Sequence, residues 1–183
     1  VQNRGRLPFT KHTTIELAMT QFSEDYVKQF TSERGNDPAR SALVIIDMQN
    51  ATGHPDGPLA RKMKAEGNSV TEWRFERIAT QVIPNTQKLI TAMRKAGGRV
   101  IYVTIGAALP DCSDAPIHMR GFFQSLGNYE GQHAHQIIDE LAPEPGDPIE
   151  RKNSMGAFDS TGLDQILRSL DREHLFVTGV STN

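Results

Sequence analysis

The stretch ALVIIDMQN, residues 42–50, decides the fold class. Leu43, Val44, Ile45 and Ile46 follow one another with no polar alternation, which fits a strand covered on both faces, the mark of a parallel sheet. Asp47 ends that run and is therefore expected at the carboxyl edge of the sheet, where open α/β sheets gather their ligands and chemistry.

Reading onward, residues 50–68 are rich in Gly, Pro and charge and predict a loop with a short helix near Arg61 to Glu66. Phe75, Ile78, Ile83, Leu89, Ile90 and Met93 recur at helical intervals, Pro84 is tolerable in a first turn, and Gly97-Gly98 closes a crossover helix. RVIYVTI, residues 99–105, is a second buried strand at a spacing that suits a right-handed βαβ unit. Residues 106–130 read as a long irregular segment, and such loops are more often functional than idle. A helical turn is expected around His135 to Leu141, and Pro143, Pro145 and Pro148 confine the next strand to about three residues. Thr161 is a candidate N-cap for a helix with the stripe Leu163, Ile166, Leu167 and Leu170. Leu175 to Thr178 read as a closing buried strand, broken by Gly179 and followed by the polar tip Ser181, Thr182 and Asn183. The whole is a doubly wound, mostly parallel α/β sheet flanked by helices, of the Rossmann-like type.

Upstream, residues 1–40 are polar, with Leu17, Phe22, Tyr26, Val27 and Phe30 loosely at helical spacing. They predict an arm with one amphipathic helix that packs on the main body or on another subunit, leaving residues 41–183 as the domain proper. A chain of 183 residues suffices for one such domain. The net charge of −2, with both signs interspersed, supplies no basic stripe for nucleic acid and points to a small ligand. One cysteine, Cys112, excludes an internal disulfide framework and suits a reducing compartment. With no long apolar run for a membrane and no signal-like start in VQNRGRLPFTKHTT, the expectation is a soluble cytoplasmic protein.

Several positions invite chemistry. Asp47, a carboxylate among apolar neighbours, is costly unless paired, and the alternative is a turn aspartate satisfied by backbone N–H groups. Gln49 and Asn50 extend the same lip and either orient a ligand or satisfy the loop. Lys152 follows the short strand PIE and could converge with Asp47, or else be solvated in its charged ERK run, while Phe158 downstream reads as an anchor into the core. Cys112 lies between Asp111 and Asp114 in PDCSD; these negative neighbours raise a thiol pKa, the reverse of what a nucleophile needs. His133 and His135 form an H-x-H pair, but in a helical segment the two rings diverge, and neither HExxH, CxxC nor a glycine-rich phosphate cradle occurs.

Three ordered segments, ALVIIDMQN, KNSMGAF and the terminal VTGVSTN, together resemble the isochorismatase-like cysteine hydrolases, a group of small α/β amidases and relatives, over residues 41–183. The resemblance implies a catalytic Asp-Lys-Cys triad in which Asp47 is the acid-base, Lys152 the cation, and the nucleophilic cysteine falls two positions beyond Asn183. It further implies that the chain stops short of that cysteine and exposes a face that later elements would cover. A cis peptide at Val180–Ser181, costing about 3 kcal/mol, would orient an oxyanion hole formed with Thr182. Gln49, Asn50, Gly106 and Phe158 are the candidate substrate contacts. The metal motif of nicotinamidase-like members has no counterpart in TIGAALPD, so neither metal nor other cofactor is expected. The implied reaction is hydrolysis of a small amide or ureido compound by a homodimer or homotetramer. Two alternatives stay open: a vinyl-ether hydrolase using Asp47 as acid, and a small-molecule-binding homologue without catalysis.

Overall fold

The structure, a computed structural model, describes residues 35–68 and 70–181. The expected amphipathic helix of the arm, together with Thr182 and Asn183, lies outside the described residues. Residues Asn36–Asn183 belong to one compact unit.

Strands β1 (Ser41–Ile46), β2 (Arg99–Ile105), β3 (Ile149–Lys152) and β4 (His174–Gly179) form one sheet in the order β3-β2-β1-β4. Every neighbouring pair is parallel. Ile46 is level with Val103 and Gly179, and Ile105 with Lys152, so all four carboxyl ends emerge along one edge. Crossovers are filled by α1 (Pro58–Ala65), α2 (Val70–Arg77), α3 (Ile83–Lys95), α4 (Ile117–Leu126) and α5 (Leu163–Ser169). Between α2 and α3 the chain makes a wide π turn, Ile78–Val82. Pro84 has no N–H to donate and its ring crowds the carbonyl four residues back, and a widened turn immediately before it relieves both.

The period of two along the central strands splits the core into two layers. Leu43, Ile45, Val100 and Tyr102 face one way and pack against Phe75, Ile78, Ile83 and Ile90 of the long crossover. Ala42, Val44, Ile101 and Val103 face the other way against Leu163 and Leu167 of α5. That two-sided cover is why β1 and β2 needed unbroken aliphatic runs.

Several expectations are corrected. The supposedly irregular segment 106–130 contains α4, whose Met119, Phe123 and Leu126 are buried and whose end is set by Gly127 in the left-handed region at φ 62°. The helical turn expected around His135 to Leu141 is instead parts of two short 3-10 turns, His133–His135 and Asp139–Leu141. Between them the backbone runs extended and Ile137 bridges to Gln49, because the loop after β1 takes up its backbone groups. Thr161 does cap α5, its Oγ1 accepting from the Leu163 N–H at 3.0 Å, although Gly162 takes the N-cap position itself. The closing strand is not buried: Leu175, Phe176 and Val177 are exposed, the last at 68%, since β4 pairs only with β1 among the described residues. Phe158 is 55% exposed and anchors nothing in the core.

Candidate active site

Lys152 closes β3 and Asp47 follows β1, with β2 between them, so their backbones stand about two strand spacings apart, roughly 10 Å. The long lysine stem spans that gap. Its Nζ lies 3.0 Å from Asp47 Oδ2 and donates also to the Met155 carbonyl at 3.2 Å. Both side chains are buried, Asp47 at 7% and Lys152 at 4% exposure. The solvated reading of Lys152 is thereby excluded.

Asp47 sits at φ 57°, a left-handed conformation that Asp tolerates better than most residues. Its N–H donates to the Val103 carbonyl at 2.8 Å, and its carbonyl accepts from the Thr52 hydroxyl at 2.8 Å, so the backbone is pinned on both sides. Oδ1, by contrast, is buried without a partner among the described residues. Burial pushes the Asp47 carboxyl above its ordinary pKa, more than the Lys152 ammonium pulls it down. A carboxylate with one oxygen held, the other free, and a pKa raised by burial is equipped to accept and return a proton.

Gln49 is wholly buried. Its Oε1 accepts from the Ile105 N–H at 2.7 Å, and its Nε2 donates to the His135 carbonyl at 2.7 Å and lies 3.3 Å from Asn128 Oδ1. Asn128 in turn donates to the Ile105 carbonyl at 2.8 Å and meets His135 Nδ1 at 2.9 Å. The same Nδ1 lies 3.2 Å from the Gln49 Nε2 donor, so its role in this network follows the ring tautomer. Burial holds His135 below its ordinary pKa, which favours the neutral ring. Asn50 likewise donates to the His133 carbonyl at 3.1 Å. Gly106 is packed so closely that a Cβ would lie 2.6 Å from both the Asn128 carbonyl oxygen and His135 Nδ1. These residues bind the loops after β1 and β2 into one rim.

Cys112 is buried in an apolar cluster with Ile105, Ala115, Met119 and Phe123. Its thiol pKa is raised, first by burial and then by Asp114 and Asp111, so this thiol is a poor nucleophile. Every peptide bond among the described residues is trans, and the cis bond expected at Val180–Ser181 is absent. The chain turns instead through a positive φ of 66° at Ser181, while the Val180 N–H is committed to the Ile46 carbonyl at 3.1 Å. Thr182 falls outside the described residues. Beside this turn a cavity of about 630 Å³ is lined by residues including Ile46, Val82, Asn85, Gly179 and Ser181. Among the described residues no group of three or more His, Cys, Asp or Glu side chains could hold a metal ion, and no helix is long and apolar enough to cross a membrane.

A parallel sheet between helix layers, with a buried carboxylate-ammonium pair at its carboxyl edge, defines an α/β hydrolase architecture of the isochorismatase type. Residues 41–183 match the isochorismatase domain, and the chain belongs to that family. Among solved structures it is similar to a cysteine hydrolase from Pseudomonas syringae pv. phaseolicola, with 27% identity and a TM-score of 0.64 over 81% of this chain and 63% of that one. It is similar also to an isochorismatase family protein from Desulfovibrio vulgaris, with 29% identity and a TM-score of 0.60 over 77% of this chain and 67% of that one. An N-carbamoylsarcosine amidase from Thermoplasma acidophilum matches with 26% identity and a TM-score of 0.52 over 76% of this chain and 67% of that one. The match therefore spans less than two thirds of the Pseudomonas protein's length.

Sequence reasoning did not single out Asn128 or Thr52. Asn128 had a faint signal, an amide directly after a helix-ending glycine. Thr52 had none, because a threonine hydroxyl bonded to a backbone carbonyl five residues back leaves no mark in the sequence.

Proposed function

We propose that this chain carries the acid-base and the cation of a thiol-dependent hydrolase acting on a small amide or ureido compound. The observation that carries the reading is the buried Asp47–Lys152 pair at 3.0 Å with Asp47 Oδ1 left free. The nucleophile in this reading is a cysteine two positions beyond Asn183. Its thiol proton passes to Asp47 as sulfur bonds to the substrate carbonyl carbon, giving a tetrahedral intermediate. When the C–N bond breaks, Asp47 returns that proton to the departing nitrogen, leaving a thioester. Water then attacks the thioester, gives a proton to Asp47, and releases the carboxylic acid, after which the thiol is restored. Lys152 stays charged throughout and keeps Asp47 oriented. The substrate is a small molecule, and the working form is a homodimer or homotetramer.

Ammonia release from a panel of small amides and ureides by the full-length protein tests this. Asp47→Asn and Lys152→Ala should each lower kcat by at least about a thousand-fold, as expected of groups that act as one unit. Turnover that survives either change sinks the proposal. The raised pKa of Asp47 also suits an acid that protonates a vinyl ether. In that second reading activity requires Asp47 and persists when the cysteine is replaced by alanine.

A further inference from the structure

Threonine hydroxyls commonly bond the carbonyl four residues back, as Thr80, Thr91 and Thr161 do here. Thr52 does something else. It is buried, and its hydroxyl reaches five residues back to the Asp47 carbonyl at 2.8 Å. That carbonyl also accepts from the Gln49 N–H at 2.9 Å, so both of its lone pairs are used. Thr52 is itself held, its N–H donating to the Gln49 carbonyl at 3.2 Å. Gln49 in turn is fixed through its side chain to the Ile105 N–H and the His135 carbonyl. The hydroxyl therefore ties Asp47 to the rigid rim of the sheet.

Asp47 needs such a tie. Its φ of 57° is one that a residue other than glycine keeps only where its surroundings over-determine it. The Val103 carbonyl holds the Asp47 N–H and so restrains rotation about N–Cα, while Thr52 holds the Asp47 carbonyl and restrains rotation about Cα–C. These two torsions set the direction in which the side chain leaves the backbone. The carboxylate has little else to aim it: Oδ2 meets Lys152 Nζ at 3.0 Å, and Oδ1 is without a partner among the described residues. Its orientation is inherited from the main chain.

We propose that Thr52 is a positioning residue: by clamping the Asp47 carbonyl, its hydroxyl keeps the carboxylate aimed at Lys152. The use made of that aim rests on the acid-base reading above; the clamp itself does not. The test compares Thr52→Val, which keeps the shape and removes the hydroxyl, with Thr52→Ser, which keeps the hydroxyl, in the full-length protein. Carbon-13 NMR of labelled aspartate carboxyls follows the titration of Asp47, assigned from Asp47→Asn, and needs no substrate. Lys152 is the charged side chain acting on that carboxyl, so a carboxylate that swings away from it while still buried titrates higher. In Thr52→Val the titration should move up by at least about half a pH unit, and in Thr52→Ser it should stay within about 0.2 of the native value. On the best substrate of the amide panel, Thr52→Val should lower kcat about ten- to a hundred-fold with KM within about three-fold, and Thr52→Ser should recover most of the loss. If circular dichroism shows that the valine variant does not fold, Thr52→Ala takes its place with the same expectations. An unmoved Asp47 titration, an unchanged kcat, or a serine variant as impaired as the valine one overturns the inference. A titration that moves in a protein releasing no ammonia from any compound supports the clamp and discards the amidase reading. Ammonia release with an unmoved titration keeps the amidase and overturns the clamp.

Discussion

Replacing Lys152 by Met removes the cation and keeps most of the stem, leaving Asp47 buried without a counter-charge. The two side chains are only 4% and 7% exposed, so solvent screening does little to soften the loss. Breaking a buried pair on one side costs about 3–5 kcal/mol, a large share of the roughly 5–15 kcal/mol that holds a domain together. The size of the effect should depend on pH. The folded pKa of Asp47 already lies above its ordinary value, so its contribution to stability is most favourable below that ordinary value and falls as pH rises through the folded one. Without Lys152 the folded pKa climbs further, and each added unit removes about 1.4 kcal/mol at a pH where both states would otherwise be ionised. Urea unfolding of the full-length protein at pH 4.5 and pH 8 reads this directly. We expect a loss of about 3–5 kcal/mol at pH 8, a clearly smaller one at pH 4.5, and substantial recovery at pH 8 in the double variant Asp47→Asn/Lys152→Met. A loss below about 1 kcal/mol at pH 8, or an equal loss at both pH values, would refute the claim that a desolvated charge pair organises this edge.

Two other outcomes follow from packing. Gly106→Ala drives a methyl into the Asn128 carbonyl and the His135 ring and should destabilise by about 1–3 kcal/mol in thermal unfolding; a change under about 0.5 kcal/mol would mean the rim yields easily. Cys112→Ala should cost about 1 kcal/mol of stability and leave the kcat of the proposed hydrolysis within two-fold, and the native thiol should resist iodoacetamide until the protein unfolds.

How much of this was legible in the sequence depends on where each signal resides. β2 is bounded as its aliphatic run predicts, and β1 ends at Ile46 just before Asp47 as its run does, because strands buried on both faces must be apolar throughout. Lys152 and Asp47 were found from their places at strand ends, since a parallel sheet delivers all its carboxyl termini to one side. α4 was hidden in its loop because Gly121 interrupts it and only three of its residues reach the core. The fate of β4 was illegible for a different reason: apolar composition records what a strand can bury, not whether a neighbour covers it. The rim formed by Gln49, Asn128 and His135 depends on pairs 79 and 86 residues apart, which a single sequence does not reveal.

The left-handed twist at Asp47 decides how the site should be dissected. An alanine there would forfeit the carboxylate and also force a methyl-bearing residue into a conformation that favours Asn, Asp and Gly. Its kinetic defect would mix lost chemistry with a displaced loop. Asparagine retains both shape and backbone preference, so a survey that scanned this strand end with alanine alone would overstate what the acid contributes.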